Sequence, residues 1–356
     1  LDRHGKRIDR RNPEGIFIPL YNHQTPPGAA SIVHYGLEVP EGLTEPLTFE
    51  VKLLYRKFDT RLMRHVYGQD WKNDLPITVL AADRVTFPVA GVAATIENPP
   101  RDIAEWERWN DYGIGLLLEG DSGSRKGELR QAEEAFARVE ELGRPDGPLN
   151  RARVYVKEGR LAEAVVALKK AASHDPPAPP WTVEWFTGLV NKENNHLDDA
   201  IQNFTNLIET RYPDAVERGF DFSYDYRVLN ELAATLHERS KRERGAAGRE
   251  LRESFLAQAV RHYSRVLELD PENAPAHYGL SQIYRELGDL ENAEKHAKLH
   301  RKYKPDDTAR RVTALHRAAN PAADHAAESI VIYDLQRPGA FGLDPEFGRV
   351  PKAASE

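Results

Sequence analysis

The sequence predicts a mainly α-helical protein in which helix pairs stack into an array, preceded by a small domain of β-strands. Three observations support this fold class. Small residues recur at fixed spacings through the centre of the chain, period-two alternation fills its first part, and Pro99-Pro100 separates the two patterns. A recurring spacing indicates units that cannot bury their apolar faces alone and must stack on neighbours.

Residues 272–305 carry the clearest of these units. Leu280 and Tyr284 stand at helical spacing, Gly288 marks a turn, and Pro305 ends the unit. Between them Ala293 is small enough to let a second helix approach the first closely. This is the pattern of a tetratricopeptide (TPR) repeat, a helix pair of about 34 residues.

Equivalents of Ala293 recur upstream, so the sequence predicts a TPR α-solenoid of about five helix pairs. The five anchor alanines, spaced 32, 36, 59 and 34 residues apart, are Ala132, Ala164, Ala200, Ala259 and Ala293. The wide gap predicts an insertion between the helices of the fourth pair, around residues 238–248. We expect a helix at 307–319 to cap the array, because end repeats otherwise expose an apolar face.

The amino-terminal part predicts an antiparallel β-sandwich. Apolar alternation indicates strands, with a short helix at 60–67 among them, and the predicted strands are residues 16–20, 31–39, 47–58, 77–80 and 84–89. A sandwich would bury the apolar faces of these strands. Residues 330–335 resemble one more strand, which we expect to pair with this domain because a lone strand leaves its backbone unsatisfied. The predicted domains are therefore residues 1–98, 99–319 and 320–356.

Composition excludes several functions. The net charge of -7 gives no basic footprint for nucleic acid. With no cysteine, these residues hold no disulfide, thiolate metal site or Cys-x-x-Cys-His haem attachment. No run of about 18 apolar residues suggests a membrane span. The chain begins at Leu1, from which we expect a processed protein or a piece of a longer one.

Catalytic and metal-binding patterns are also missing from the sequence. No nucleophile elbow, phosphate-binding loop or His-Glu-x-x-His motif occurs. The adjacent carboxylates Asp198-Asp199 and Glu133-Glu134 are expected to face solvent on second helices. His296 and His300 have a spacing that suits a metal, but no third ligand accompanies them, so no metal site is predicted.

Several stretches outside the generic repeat pattern resemble a known family. They are RIDRRNPEGIFIPLYNHQTPPGAASIVHYGLEVP, VKLLYRKFDT, NDLPITVLAADRVTFPV, WNDYGIGLL, PPAPPWTVEWFTGLVNK, RGFDFSYDYRVLNELA and NPAADHAAESIVIYDLQRPGA. They resemble the carboxy-terminal portion of exported bacterial multihaem c-type cytochromes that carry TPR repeats. The chain departs from that family in one respect, because the haem-binding portion is missing.

The resemblance implies an exported electron-transfer assembly in the periplasm or outside the cell, with haem c on an adjoining region or a partner chain. His34, His23 and His4 lie in or beside the strand domain, which by the resemblance would adjoin the haem region. A neutral imidazole can be the second axial ligand of a haem attached elsewhere. His34 is the preferred candidate among the three, although an ordinary surface histidine is the favoured interpretation of each.

Three functions remain open at this point. The first is a non-catalytic scaffold for the cytochrome, the second a subunit of an exported oxidoreductase that supplies an axial histidine, and the third a plain periplasmic TPR adaptor. A scaffold would bind a protein through the concave face made by first helices. The candidate groove residues are Tyr155, Trp185, Asn191, Asn230 and Tyr284, although packing between repeats is the favoured role of Trp185 and its neighbours Trp181 and Phe186.

Overall fold

A computed structural model describes residues 1–8, 13–21, 25, 28–39, 41–120, 127–328 and 330–335. These residues form two compact units. The strand unit takes its described residues from Leu1–Asn22, Val33–Ala104 and Arg311–Glu356, and the helical unit from His23–Ile32 and Glu105–Arg310. In chain order the strands and helices are β1 (His34–Gly36), β2 (Leu47–Tyr55), α1 (Thr60–Tyr67), β3 (Thr78–Phe87), α2 (Glu105–Glu119), α3 (Gly127–Glu141), α4 (Asp146–Glu158), α5 (Leu161–Ala172), α6 (Pro180–Glu193), α7 (Leu197–Glu209), α8 (Pro213–Glu217), α9 (Tyr226–Ser240), α10 (Arg249–Leu269), α11 (Ala274–Glu286), α12 (Leu290–Tyr303), α13 (Asp307–Ala319), α14 (Pro321–Ala326) and β4 (Ile332–Asp334).

Five helix pairs make up the helical unit. They are α2 with α3, α4 with α5, α6 with α7, α9 with α10, and α11 with α12. The anchor alanines are buried as predicted, with 0% exposure at Ala132, Ala164, Ala200 and Ala259 and 2% at Ala293. The structure therefore confirms the predicted array, because these small side chains lie at the seams where helices approach closely.

Two glycines on first helices show how close that approach is. A Cβ atom at Gly113 would stand 2.5 Å from the ring of Phe136, and one at Gly188 would stand 2.6 Å from the ring of Phe204. Both phenylalanines lie four residues after an anchor alanine and are fully buried. In these two pairs the ring of the second helix therefore occupies the space left by the missing side chain.

The helix boundaries follow local sequence signals. Asp225 caps α9 by accepting a hydrogen bond from the backbone N–H of Arg227 at 2.9 Å. Asn273 caps α11 through the N–H of Ala276 at 3.0 Å. Such caps satisfy backbone donors that the first helical turn leaves free. Gly288 provides the positive φ of 80° in the turn between α11 and α12.

The extra length of the fourth pair is divided between two places, which corrects the prediction of one insertion at 238–248. Helix α8 and a 3-10 helix at Phe222–Tyr224 precede α9, whereas residues 241–248 connect α9 to α10. The sequence contained the signals for the first segment. Pro213 stands at the start of α8, and Asp225 caps α9.

The strand unit contains two separate two-stranded sheets within its described residues, so the β-sandwich prediction is wrong for them. Strands β2 and β3 are antiparallel, with Leu47 opposite Phe87 and a register shift at Leu53/Leu54. Strands β1 and β4 are parallel, with His34 opposite Ile332. Residues 16–20 form no strand. Apolar alternation indicated strands with one apolar face, but it did not specify a second sheet to cover that face.

Two helices of the strand unit show what the sequence predicted well. Helix α1 has its predicted bounds, since Asp59 caps it through the N–H of Leu62 at 2.7 Å. The predicted cap helix is present as α13, and its residues from Arg311 onward belong to the strand unit. Among the described residues, no helix has the length and apolar character needed to cross a membrane.

Candidate functional site

Direct contacts link the successive first helices α2, α4, α6, α9 and α11, and we call their common surface the first-helix face. Polar contacts run along it. Asn150 Nδ2 donates to Asn110 Oδ1 at 2.8 Å, and Lys192 Nζ donates to Glu231 Oε2 at 2.6 Å. His237 Nε2 is hydrogen-bonded to Glu286 Oε1 at 2.8 Å. These three hydrogen bonds tie neighbouring first helices to one another.

An apolar cavity lies at the head of α6. Trp181 packs edge-on against Tyr212 at a centroid distance of 5.9 Å, and Phe222 lies 6.4 Å from Trp181. The cavity, which we call the aromatic pocket, has a volume of about 170 Å³. Its lining residues are Trp181, Thr182, Trp185, Leu207, Phe222, Asp225, Arg227 and Val228. Aromatic walls with a few charged groups at the edge are typical of ligand pockets.

A charged pair lies at one side of the aromatic pocket. Arg227 donates two hydrogen bonds to Asp225, from Nε to Oδ1 at 3.1 Å and from Nη2 to Oδ2 at 2.8 Å. Burial alone would raise the pKa of Asp225, but the hydrogen bonds from Arg227 hold that pKa below its usual range. The carboxylate therefore stays ionised and keeps the guanidinium at the pocket edge.

A wider cleft lies beside the pocket. It measures about 530 Å³, is formed by residues 208–223, and shares Phe222 with the pocket. Tyr212 and Ala215 line the cleft together with the exposed Phe220. This cleft and the wall of the pocket at Phe222 come from the segment between α7 and α9 that the sequence prediction did not locate. Aromatic residues clustered between helix signals, as in Phe220 to Tyr224, were the available clue.

Trp185 is the predicted groove residue that the structure places at a cavity. It is half-buried, lines the aromatic pocket and packs on Phe204 at a centroid distance of 5.7 Å. Tyr155, by contrast, is only 4% exposed. Its hydroxyl donates to Glu133 and accepts from Arg151, both at 2.7 Å. Tyr155 is therefore packed between α3 and α4 through these two hydrogen bonds.

The other three predicted groove residues are half-buried and engaged within the array. Asn191 donates to Asn203 Oδ1 at 2.8 Å, which ties α6 to α7. Asn230 donates to Asn273 Oδ1 at 3.1 Å, which ties α9 to α11. Tyr284 stacks on His296 with ring centroids 5.7 Å apart. These contacts stabilise the helix pairs, and none of the three residues lines the aromatic pocket.

The adjacent carboxylates differ in their exposure to solvent, although the sequence predicted that all four are exposed. Asp198, Asp199 and Glu134 are exposed as predicted, but Glu133 is half-buried. Arg160 donates to Glu133 at 2.7 Å, as does Tyr155. Burial opposes ionisation, yet these two hydrogen bonds keep the pKa of Glu133 below its ordinary value. Glu133 is therefore a structural anion that holds α3 to α4.

The histidines at i and i+4 on α12 have separate partners. His300 Nδ1 is hydrogen-bonded to the carbonyl oxygen of Ala274 at 3.0 Å. His296 Nδ1 lies 2.9 Å from Nδ1 of the buried His277, whose Nε2 is hydrogen-bonded to Pro271 O at 3.1 Å. Since Nε2 of His277 donates, its Nδ1 accepts from His296. The described residues contain no group of three or more side chains placed to hold a metal ion.

Two of the three predicted haem ligands, His34 and His4, lie in the strand unit. His34 lies in β1 and is half-buried, while His4 is exposed. His23 lies outside the described residues. The structure therefore gives positions for two of the three candidates and does not test their proposed role toward haem.

Comparison with protein families supports the assignment of the array. Residues 117–179 and residues 251–318 each match a family model described as tetratricopeptide repeat. These two stretches are tetratricopeptide repeats. The first contains the anchors Ala132 and Ala164, and the second contains Ala259 and Ala293. The TPR prediction is thus confirmed by sequence comparison as well as by burial.

Two solved structures match about half of this chain. A crystal structure of MamA matches 55% of this chain and 94% of its own, at 14% sequence identity and a TM-score of 0.38. The structure of YrrB, described as a TPR protein with an unusual peptide-binding site, matches 54% of this chain and 84% of its own, at 19% identity and a TM-score of 0.37. No curated protein matches the chain in a sequence search.

Proposed function

We propose that this protein is a non-catalytic interaction scaffold whose first-helix face binds a segment of a protein partner, within an exported multihaem cytochrome assembly. The TPR repeats support the scaffold, because stacked helix pairs provide an extended binding surface. The aromatic pocket is the observation that carries the proposal. It is an apolar cavity whose walls include the three aromatic side chains of Trp181, Trp185 and Phe222.

The aromatic pocket suits one large apolar side chain of a partner. An apolar cavity of roughly 150 Å³ is large enough to hold a benzene ring, and this pocket measures about 170 Å³. Binding energy at protein interfaces concentrates in such anchors, which fill pockets and exclude water. The Arg227–Asp225 pair at the edge offers hydrogen bonds to the backbone of the bound segment.

The cytochrome context rests on the resemblance of the strand regions and the tail to exported multihaem cytochromes. Under this proposal haem c belongs to an adjoining region or a partner chain, and the assembly works in the periplasm or outside the cell. The alternative is an oxidoreductase subunit in which His34, His23 or His4 supplies an axial ligand. A plain periplasmic TPR adaptor is the third function, and it would bind no cytochrome.

Calorimetric titration of the full chain with the haem-bearing region of the resembled cytochromes tests the scaffold. Thr182→Phe fills the aromatic pocket while leaving Trp181 and Trp185 in place. We expect it to raise the Kd at least about tenfold, because the anchor side chain loses its site. Val166→Phe, on α5 where Val166 is 68% exposed, is the matched control and should leave the Kd unchanged.

Two outcomes would contradict the proposal. Absence of binding would exclude the cytochrome as the partner, and the plain TPR adaptor would then be the favoured function. Binding that is equally tight for Thr182→Phe and wild type would remove the aromatic pocket from the interface. In the same complex, a Soret band that shifts on His34→Ala would favour the oxidoreductase alternative, since axial ligation sets that absorption.

A further inference from the structure

Strands β2 and β3 form a sheet with one apolar face and one polar face. From the register, the apolar face contains Leu47, Phe49, Val51 and Leu53 of β2, opposite Phe87, Val85, Asp83 and Ala81 of β3, so Asp83 is its one charged residue. The opposite face of β2 consists of Thr48, Glu50 and Lys52. Successive side chains of a strand point to opposite faces, so the two sets are separate surfaces.

Within the described residues this face is largely exposed, with Phe49 and Val85 half-buried. Val51 is 53% exposed, Leu53 is 61% exposed and Phe87 is 51% exposed. A two-stranded sheet by itself is marginally stable in water and gains stability from further strands. An open apolar face beside an open strand edge is therefore a surface built for association.

The two edges of this sheet differ in accessibility. The outer edge of β3 is occupied near its end, since Asn98 accepts from the N–H of Thr86 at 2.7 Å and donates to its carbonyl at 3.3 Å. Arg101 also forms an ion pair with Asp83 of β3 at 2.9 Å. Within the described part of the chain, the outer edge of β2 carries no comparable contacts. Strand addition is therefore expected at β2.

The same contacts show which groups β2 presents outward. The backbone of Thr86 points away from β2, because Asn98 binds both its N–H and its carbonyl. Thr86 lies opposite Thr48, so Thr48 also points its backbone groups away from the pair. Because this direction alternates along a strand, the backbone N–H and C=O groups of Glu50 and Lys52 also lie at the outer edge of β2.

We propose that β2 pairs antiparallel with β2 of a second copy of this chain, centred on Val51. In this register Val51 meets Val51 of the second copy, and Phe49 meets Leu53. Glu50 then faces Lys52 of the second copy, and by symmetry the pair occurs twice. The product is a four-stranded sheet with a continuous apolar face, formed by an isologous contact with two-fold symmetry.

Neighbouring registers are disfavoured by the same residues. A shift of one residue turns the apolar faces of the two copies to opposite sides of the sheet. A shift that preserves the faces sets Glu50 against Glu50 or Lys52 against Lys52, and like charges directly opposite destabilise a strand pair. The sequence of β2 therefore specifies one register with itself.

Measuring the mass of the full chain by light scattering over a concentration range tests this pairing. We expect the mass to rise with concentration from that of one chain toward that of two. Glu50→Lys and Lys52→Glu each turn both cross-strand pairs from attractive to repulsive. Each should raise the dimer dissociation constant about tenfold or more, since every pair contributes up to about 1 kcal/mol.

Mixing the two single variants separates an effect between chains from one within a chain. Within one strand Lys52 also forms an ion pair with Glu50 at 2.7 Å, and each substitution removes that contact whether or not the variants are mixed. In the mixed dimer one β2 strand is basic at both positions and the other is acidic at both. Each cross-strand pair is then attractive again, so association should return. The double variant Glu50→Lys/Lys52→Glu should also associate like wild type, and circular dichroism should show native helix content throughout.

Three outcomes would overturn the proposal. In the first, the wild-type chain remains a single chain at all concentrations. In the second, it associates with an affinity that neither single substitution alters. In the third, the single variants would dissociate and their mixture would stay dissociated, which would place the effect of the charges inside one strand.

Discussion

The helical unit and the strand unit bury apolar side chains very differently. The largest fully buried side chains of the described residues all belong to the helical unit, among them Phe136, Phe204 and Leu232. Among the described residues of the strand unit, the buried apolar ones are Leu1, Met63 and Val331, with none below 8% exposure. Stacked helix pairs complete one another's core, whereas two-stranded sheets leave an apolar face to be covered by something else.

The largest expected effect compares one phenylalanine from each unit. Phe204→Ala, at 0% exposure, should lower the free energy of unfolding by about 3–5 kcal/mol, through lost burial and the cavity left behind. Phe87→Ala, at 51% exposure, should change it by less than about 1 kcal/mol. Urea unfolding followed by helical circular dichroism measures both. Equal losses would contradict the contrast between the units.

A smaller effect is expected at a close approach between α6 and α7. Gly188→Ala places a Cβ atom 2.6 Å from the buried ring of Phe204, which must shift. Overpacking of this kind should destabilise the helical unit by about 1–3 kcal/mol, although alanine is the better helix former. Thr187→Ala, the neighbouring position on α6, is the control. If Gly188→Ala stabilised the protein, the close approach would be refuted.

The pH dependence of stability should differ between the units through their histidines. Burial, with His277 and Lys295 adding to it, lowers the pKa of His296 to about 4 from its ordinary value of 6.5. The unfolded chain therefore takes up a proton at higher pH than the folded chain does. The stability contributed by neutral His296 is present above about pH 6.5 and is lost as the pH falls toward 4.

His296→Gln tests this account against His65→Gln, an exposed position on α1 of the strand unit. Urea unfolding at a series of pH values between about 4 and 7 gives the slope for each variant. The slope should become shallower with His296→Gln and stay as in wild type with His65→Gln. A wild-type slope in both variants would rule out His296 as the titrating group.

The helical unit was largely predictable because its signals are local and repeated. The burial of Ala164 and Ala293 could be predicted from their size and spacing, since only a small side chain fits where two helices nearly touch. The segment before α9 was missed because the anchor spacing gives the total number of extra residues. It does not say how they are divided between the two sides of α9. The aromatic pocket depends on that division, because Phe222 belongs to the segment before α9.

The strand unit was predictable in its elements and not in its assembly. Alternation from Leu47 to Tyr55 located β2, and the short helix predicted at 60–67 is present as α1. The same alternation is compatible with a sandwich, a barrel or an uncovered pair of strands, since it specifies an apolar face and no partner. The hydrogen bonds of Tyr155 to Glu133 and Arg151 show the equivalent limit in the array, because the repeat pattern does not specify such side-chain partners.

Amide hydrogen exchange on the full chain at low and high protein concentration tests the contrast between the units most directly. We predict slow exchange in α6 and α7 around Phe204 at both concentrations, and exchange in β2 that slows as concentration rises. Rapid exchange in α6 and α7 would contradict an array with its own core. Slow exchange in β2 that is independent of concentration would show that its apolar face is already covered within one chain.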